Sequence, residues 1–303
     1  MKMTGRRESA NVQDKRGVSK PVKAAGGIGG LGAVALLFYF IMSGGNVSPD
    51  VVAQLNNPRT TTVTPAKSTT DSSFYKGNRD FSNEEELFKF TSQVLASTED
   101  VWTELFRKEG KKYAAPKMTI FSQATTSGCG SAKSNMGPFY CPADQTVYLD
   151  LEFLTTMRKT LGVDGDFAFA YVIAHEVGHH IQYLKGELGA NQMKEQKLKK
   201  EGKTADANLV SVQIELQADC YAGVWGNIEN GMHQSLESTD FMEAFQAAKS
   251  VGDDSLGNTR RDTFNHGSAK MRQAWFKTGF NSGDPKACAT YGYASLNALE
   301  NKQ

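Results

Sequence analysis

The chain has 303 residues, with 34 Lys and Arg against 33 Asp and Glu and a formal net charge of +1. That balance excludes the strongly basic footprint of a nucleic-acid binder, so no nucleic acid is expected as a partner. The length exceeds one average domain, and the composition shifts along it, so only part of the chain is expected to be globular.

Residues 1–23 carry Lys2, Arg6, Arg7, Lys15, Arg16, Lys20 and Lys23 against Glu8 and Asp14, with few large apolar residues. This is the composition of a disordered basic tail. Residues 24–45 contain no charged side chain, and the stretch from Leu31 to Met42 is strongly apolar. About 20 such residues cross a bilayer, which predicts one transmembrane helix. Gly26 and Gly30 stand at the spacing of a helix-packing motif. No small-residue cleavage site follows the apolar run, which disfavours a removable signal peptide. Basic residues stay cytoplasmic, so the N-terminus is expected in the cytoplasm and the C-terminal part in the periplasm or outside the cell. Residues 46–79, rich in Asn, Thr, Ser and Pro, read as a flexible linker. The globular domain is expected over 80–303.

Ser82 and Glu85 form a capping box, followed by Leu87, Phe88, Phe90, Val94 and Leu95 at helical spacing. A second helical turn carries Val101, Trp102, Leu105 and Phe106. Met118 to Phe121 reads as a short strand. Val147, Leu149 and Leu151 alternate with Tyr148, Asp150 and Glu152, which predicts a strand with one buried face. Pro142 is tolerable at a sheet edge, so Pro138 to Asp150 is the expected platform for a peptide added as a strand. All four cysteines, Cys129, Cys141, Cys220 and Cys288, follow the predicted span. An even set in an exported domain suggests two disulfides. Of three connectivities, the simplest pairs Cys129 with Cys141 across a Gly/Ser-rich loop and Cys220 with Cys288. Neither pair has the spacing of a zinc site.

The densest chemical signal is His175-Glu176-Val177-Gly178-His179, the pattern H-E-x-x-H. Phe167 to Ala174 form an apolar run before it, as in a buried helix, with Asp164 or Asp166 as its cap and Gly186 as its end. Positions i and i+4 share a helix face. Two imidazoles there can reach one Zn²⁺, with the intervening glutamate on a water. His180 points about 100° away from His179 and is read as a surface or supporting residue. The metal still lacks a ligand, and the position six residues past His179 is Lys185. Residues 204–226 read as a second apolar helix bearing Glu215 and Asp219 on one face. Glu215 then serves as the third ligand and Asp219 as the acceptor that orients His175. Glu187 and Glu195 are rivals for the ligand, but residues 191–206 are Lys-rich and read as a surface excursion. Later helices are expected at 239–250 and 268–278, the last ending at Gly279.

The segments HEVGHHIQ, ELQADCYAGVW, GPFYCPADQTVYLD and HGSAKMRQAWFKTGF together resemble the bacterial neutral zinc metallopeptidase family, the YpfJ-like proteins. The resemblance implies a single-span membrane protein with an α+β, zincin-like peptidase domain. It implies His175, His179 and Glu215 as ligands of one Zn²⁺ per chain and Glu176 as catalytic acid and base. The expected substrate is a peptide or protein, hydrolysed by activated water. For the oxyanion donor, His266 is the first choice, being a loop histidine just before a helix. Arg272 comes next, then Tyr140, Tyr148 and Tyr221. A catalytically silent, zinc-stabilised envelope-binding or scaffold domain is the alternative, and the intact Glu176 argues against it.

Overall fold

A computed structural model of the protein describes residues 1–17, 83–133, 137–151, 153, 157 and 165–301. The order is β1 (Val12–Lys15), α1 (Glu84–Lys108), β2 (Lys117–Phe121), β3 (Ala124–Ser127), β4 (Gly130–Lys133), β5 (Phe139–Cys141) and β6 (Thr146–Asp150). Then come α2 (Asp166–Leu184), α3 (Glu187–Lys200), α4 (Thr204–His233), α5 (Asp240–Ser250), α6 (Ala269–Ser282) and α7 (Leu296–Glu300). The fold is mixed α and β, as expected. The main sheet runs β1-β2-β6-β5, with β2 parallel to both β1 and β6 and β5 antiparallel to β6, so β5 is an edge. β3 and β4 form a separate antiparallel hairpin. No helix among the described residues is long and apolar enough to cross a membrane, and the apolar run 24–45 lies outside them.

The two predicted N-terminal helical turns are one helix, α1. Its cap is Asn83, whose side chain accepts from the Glu85 backbone N–H; Ser82 lies outside the described residues. Strand β6 is buried on both faces, not one. It is an inner strand, and a small second cluster of Phe121, Ala132, Cys141 and Tyr148 covers the face expected to be wet. The predicted cap of α2 is also corrected. Asp166 is the first helical residue, the cap position is Gly165, and Glu243 of α5 accepts from the Phe167 backbone N–H at 3.1 Å. The Lys-rich excursion is mostly helical, as α3. Its Glu, Gln, Lys and Leu residues are strong helix formers, and only Leu188 is buried.

Helix α4 runs past 226 to His233, and α6 runs past Gly279 to Ser282. Gly279, expected to end its helix, and Gly223, inside the predicted helix 204–226, let α4 and α6 touch. A Cβ at Gly279 would overlap the Cys220 carbonyl oxygen, and one at Gly223 would overlap the backbone of Phe276. Trp102, Trp225 and Trp275 fill the surrounding core. The disulfides are Cys129–Cys141 and Cys220–Cys288. The second ties α4 to the turn at Pro285–Cys288.

The largest departure concerns the tail, expected to be disordered over 1–23. Residues 1–17 are packed on the domain. Met3 is fully buried, and β1 pairs with β2 in register from Val12↔Met118 to Lys15↔Phe121. The Met1 ammonium hydrogen-bonds Asp166 Oδ1 at 2.5 Å and Asp240 Oδ1 at 3.1 Å. Composition pointed the wrong way because the basic residues here meet buried acids of the domain: Arg6 reaches Glu229 at 2.7 Å and Arg7 reaches Glu99 at 2.8 Å.

Candidate metal centre

Helices α2 and α4 build the site, and Gly178 sets their separation. A Cβ there would stand 3.0 Å from both the Cα and the carbonyl oxygen of Ala218. A larger residue inside the H-E-x-x-H segment would therefore push α4 away. With glycine, Glu215 of α4 comes within 3.3 Å of His175 Nε2 and 3.5 Å of His179 Nε2. The ligand-capable atoms of His175, His179 and Glu215 all lie within 4.8 Å of one another. His175 Nε2 and Glu215 Oε2 are buried and have no hydrogen-bond partner. Buried polar atoms are normally satisfied, so two orphans facing each other mark a place for a cation. Two imidazole nitrogens and a carboxylate oxygen form a donor set suited to Zn²⁺. Glu187 and Glu195, the rival acids, sit on α3, where Glu195 pairs with Lys199 at 2.7 Å, and neither joins the group.

The two histidines have fixed tautomers. His175 donates from Nδ1 to Asp219 Oδ1 at 2.8 Å. His179 donates from Nδ1 to Gln182 Oε1 at 2.9 Å, and Gln182 Nε2 is in turn held by the Ile214 carbonyl and Gln217 Oε1. In its neutral form each ring therefore offers its Nε2 lone pair to the centre. Asp219 is fully buried and accepts four hydrogen bonds, from Tyr171 Oη, His175 Nδ1, Arg272 Nε and Arg272 Nη2. Burial alone would raise its pKa, but the charges of Arg272 and His175 outweigh it and hold the carboxyl down at about 2. On His175 burial works the other way and is outweighed by Asp219, so the metal-free imidazole is raised to about 9. Burial likewise opposes ionisation of Glu215, yet the histidines beside it hold its pKa below the usual range.

Glu176 is buried at the same centre. Burial raises its pKa against the histidine charges, and its carboxylate accepts the backbone N–H of Tyr140 on edge strand β5. His180, expected at the surface or in a supporting place, is fully buried. It donates from Nε2 to the Ala114 carbonyl and accepts the Tyr140 hydroxyl at Nδ1, and burial lowers it to about 4. It thus holds β5 against α2.

The remaining candidates sort by their partners. Arg272 is committed to Asp219 and the Val251 carbonyl. Tyr140, Tyr148 and Tyr221 bond His180, Asp144 and Lys185 through their hydroxyls. His266 is 2 % exposed, its Nδ1 bonds Asp253 Oδ1 at 2.9 Å, and its Nε2 is buried without a partner. Its charge acts on Glu215. Asp253 is itself fixed by the backbone N–H groups of Asn265, His266 and Gly267. Sequence reading missed Asp253, thirteen residues from its histidine in a loop without a signature. Tyr171 and Gln182 were also missed, although each lies one turn from a candidate ligand on α2 and was findable from helical spacing.

The family profile described as "Putative neutral zinc metallopeptidase" matches residues 1–291. The uncharacterized protein YpfJ of Escherichia coli (strain K12) is 43 % identical over 311 residues, covering 96 % of this chain and 99 % of that protein. The uncharacterized protein Rv2575 of Mycobacterium tuberculosis (strain ATCC 25618 / H37Rv) is 40 % identical over 215 residues, covering 66 % of this chain and 69 % of that protein. No solved structure matches the chain. The chain belongs to the neutral zinc metallopeptidase family.

Proposed function

We propose that the protein is a zinc-dependent endopeptidase with one Zn²⁺ per chain, held by His175, His179 and Glu215, and with Glu176 as general base. The observation that carries this is the pair of facing orphans, His175 Nε2 and Glu215 Oε2, with the Glu176 carboxylate beside them. Zn²⁺ bound there supplies Lewis acidity, polarising a carbonyl and lowering the pKa of a water.

The chain's own groups do the rest. Glu176 accepts the proton of the attacking water and later delivers it to the leaving amine nitrogen. Its raised pKa brings it closer to neutrality, where such transfer in both directions works best. A peptide laid along edge strand β5 would place its carbonyl near Glu176, because the Tyr140 N–H already joins that strand to the carboxylate. The buried His266 Nε2 is the donor left for the oxyanion. Asp253 accepts from Nδ1, which leaves Nε2 as the ring nitrogen available to the oxyanion. Two disulfides, with no free cysteine among the described residues, support a domain working outside the cytoplasm.

The test is protein hydrolysis by the wild type and by Glu176→Gln, using casein as probe and metal analysis alongside. Glu176→Gln should keep its zinc and lose hydrolysis by several orders of magnitude. Near-normal activity would move catalysis elsewhere. Absence of hydrolysis in a zinc-loaded wild type would favour a silent binding domain.

A further inference from the structure

The two histidines of the centre are held by unlike partners. A carboxylate, Asp219, accepts from His175, whereas a neutral amide, Gln182, accepts from His179. An amide presents an acceptor on one side and donors on the other. It fixes the His179 ring only if its own orientation is fixed. Gln182 is fully buried, and both protons of its Nε2 meet acceptors, the Ile214 carbonyl at 2.7 Å and Gln217 Oε1 at 2.9 Å.

Gln217 is a second buried amide and poses the same question. Its Nε2 donates to the Cys288 carbonyl at 3.2 Å, and its Oε1 also accepts from the Tyr291 hydroxyl at 3.0 Å. Turned over, Gln217 would set its NH₂ group against that of Gln182 and its oxygen against the Cys288 carbonyl. Unmet polar groups in a buried place are costly, so the Cys288 carbonyl decides which way Gln217 faces.

That carbonyl is itself tied down. Cys288 is joined to Cys220 of α4, less than one turn past Gln217, and both cysteines are fully buried. Gln213, Gln217 and Cys220 stand at i, i+4 and i+7 on one face of α4. The chain from Cys288 to Tyr293 lies along that face. Thr290 Oγ1 donates to the Gln213 carbonyl at 2.7 Å, and Gln213 Nε2 donates to the Tyr293 carbonyl at 2.8 Å.

We infer that Gln217 and the Cys220–Cys288 disulfide are positioning groups for the metal centre. Through Gln182 they hold His179 with Nδ1 donating and Nε2 turned to Zn²⁺, so a chain with these cysteines unjoined binds Zn²⁺ less tightly. This rests on the zinc site proposed above. The two ligands then differ in what supports them. Asp219 shares α4 with Glu215 and is fixed by Arg272, whereas the support of His179 runs through two amides to the C-terminal segment.

The test is Zn²⁺ affinity of the purified full chain, measured by competition with graded chelators, with urea unfolding of the metal-free protein alongside. Wild type is compared with Gln217→Met, with Cys220→Ala plus Cys288→Ala, and with all three substitutions together. Gln217→Met keeps the volume and removes both polar ends, and should weaken zinc binding by about tenfold, the lower end for a group supporting a ligating histidine. Opening the disulfide should do the same. The triple variant should lose no more than either, because both changes act on one chain of amides. Losses that multiply to about a hundredfold, or an unchanged affinity in Gln217→Met, would overturn the inference and leave the zinc centre standing. Cys129→Ala plus Cys141→Ala opens the other disulfide, and should lower stability while leaving zinc affinity unchanged; an equal loss of affinity there would also overturn it. If the Cys220 and Cys288 variant does not fold, Gln182→Met alone and with Gln217→Met decides the amide chain on which the role of the disulfide depends. The pair should bind as Gln182→Met does, and a further loss would overturn the inference. A wild type that binds no zinc would overturn both this inference and the zinc site.

Discussion

Asp219→Asn removes a charge and keeps the shape, and the structure says where the damage should appear. The carboxylate is fully buried and accepts four hydrogen bonds, two of them from Arg272. An asparagine oxygen in place of Oδ1 can still accept from His175, Tyr171 and Arg272 Nη2, but its amide group then faces Arg272 Nε, donor against donor. Arg272 is 2 % exposed and cannot turn to water. Its next carboxylate is Glu215 Oε2 at 3.8 Å, a proposed metal ligand. Losing one partner of a buried ion pair costs about 3–5 kcal/mol. Loss of the acceptor that orients a ligating histidine costs about 10–100-fold in metal affinity, which is roughly 1.4–2.7 kcal/mol. Urea unfolding of the metal-free protein should thus register the larger effect, and zinc competition against graded chelators the smaller one. Tyr171→Phe is the control. It removes one hydroxyl donor, should cost about 1 kcal/mol of stability, and should leave zinc affinity nearly unchanged. An Asp219→Asn protein with wild-type zinc affinity and wild-type unfolding would refute the assignment of Asp219.

His266→Ala should keep its zinc and lower kcat by roughly 10²–10³-fold if the side chain donates to the oxyanion; unchanged turnover would exclude it. Zinc binding should release protons. The metal-free His175 holds its proton up to about pH 9, and only the neutral ring ligates, so affinity should fall by up to about tenfold per pH unit below that. Calorimetry in buffers of different ionisation enthalpy measures the release, and none at pH 7 would contradict the reading. Glu243, buried beside Asp166 and Asp240, is raised to about 7, with burial as the main cause. The folded state binds this proton more tightly than the unfolded chain, so its contribution to stability is full below about pH 4.5 and is lost as pH rises through about 7. Glu243→Gln should therefore flatten that pH dependence and raise stability at pH 8 by on the order of 1–2 kcal/mol. An unchanged unfolding profile between pH 5 and 8 would refute it.

Much of the centre was legible because helical periodicity is a local property. H-E-x-x-H fixes two imidazoles and one carboxylate on a single helix, and the i, i+4 pair Glu215 and Asp219 fixes two more groups on another. Backbone spacing alone gives those faces, whatever the rest of the chain does. The cysteine pairing was legible for a related reason, since a short loop favours its own closure. What the sequence could not say is how the faces meet. The contact of α2 with α4 depends on the missing side chain of Gly178, and that of α4 with α6 on Gly223 and Gly279, the second of which looked in the sequence like a stop. Asp253 reaches His266 through a loop, and Glu243 caps a helix from another element. The tail shows the limit most clearly. Arg6 and Arg7 have the composition of solvated charge, and only packing brings them onto Glu229 and Glu99. Composition reports how much a segment can bury by itself. Whether the rest of the protein holds buried charges waiting for it is a long-range fact, decided by tertiary structure.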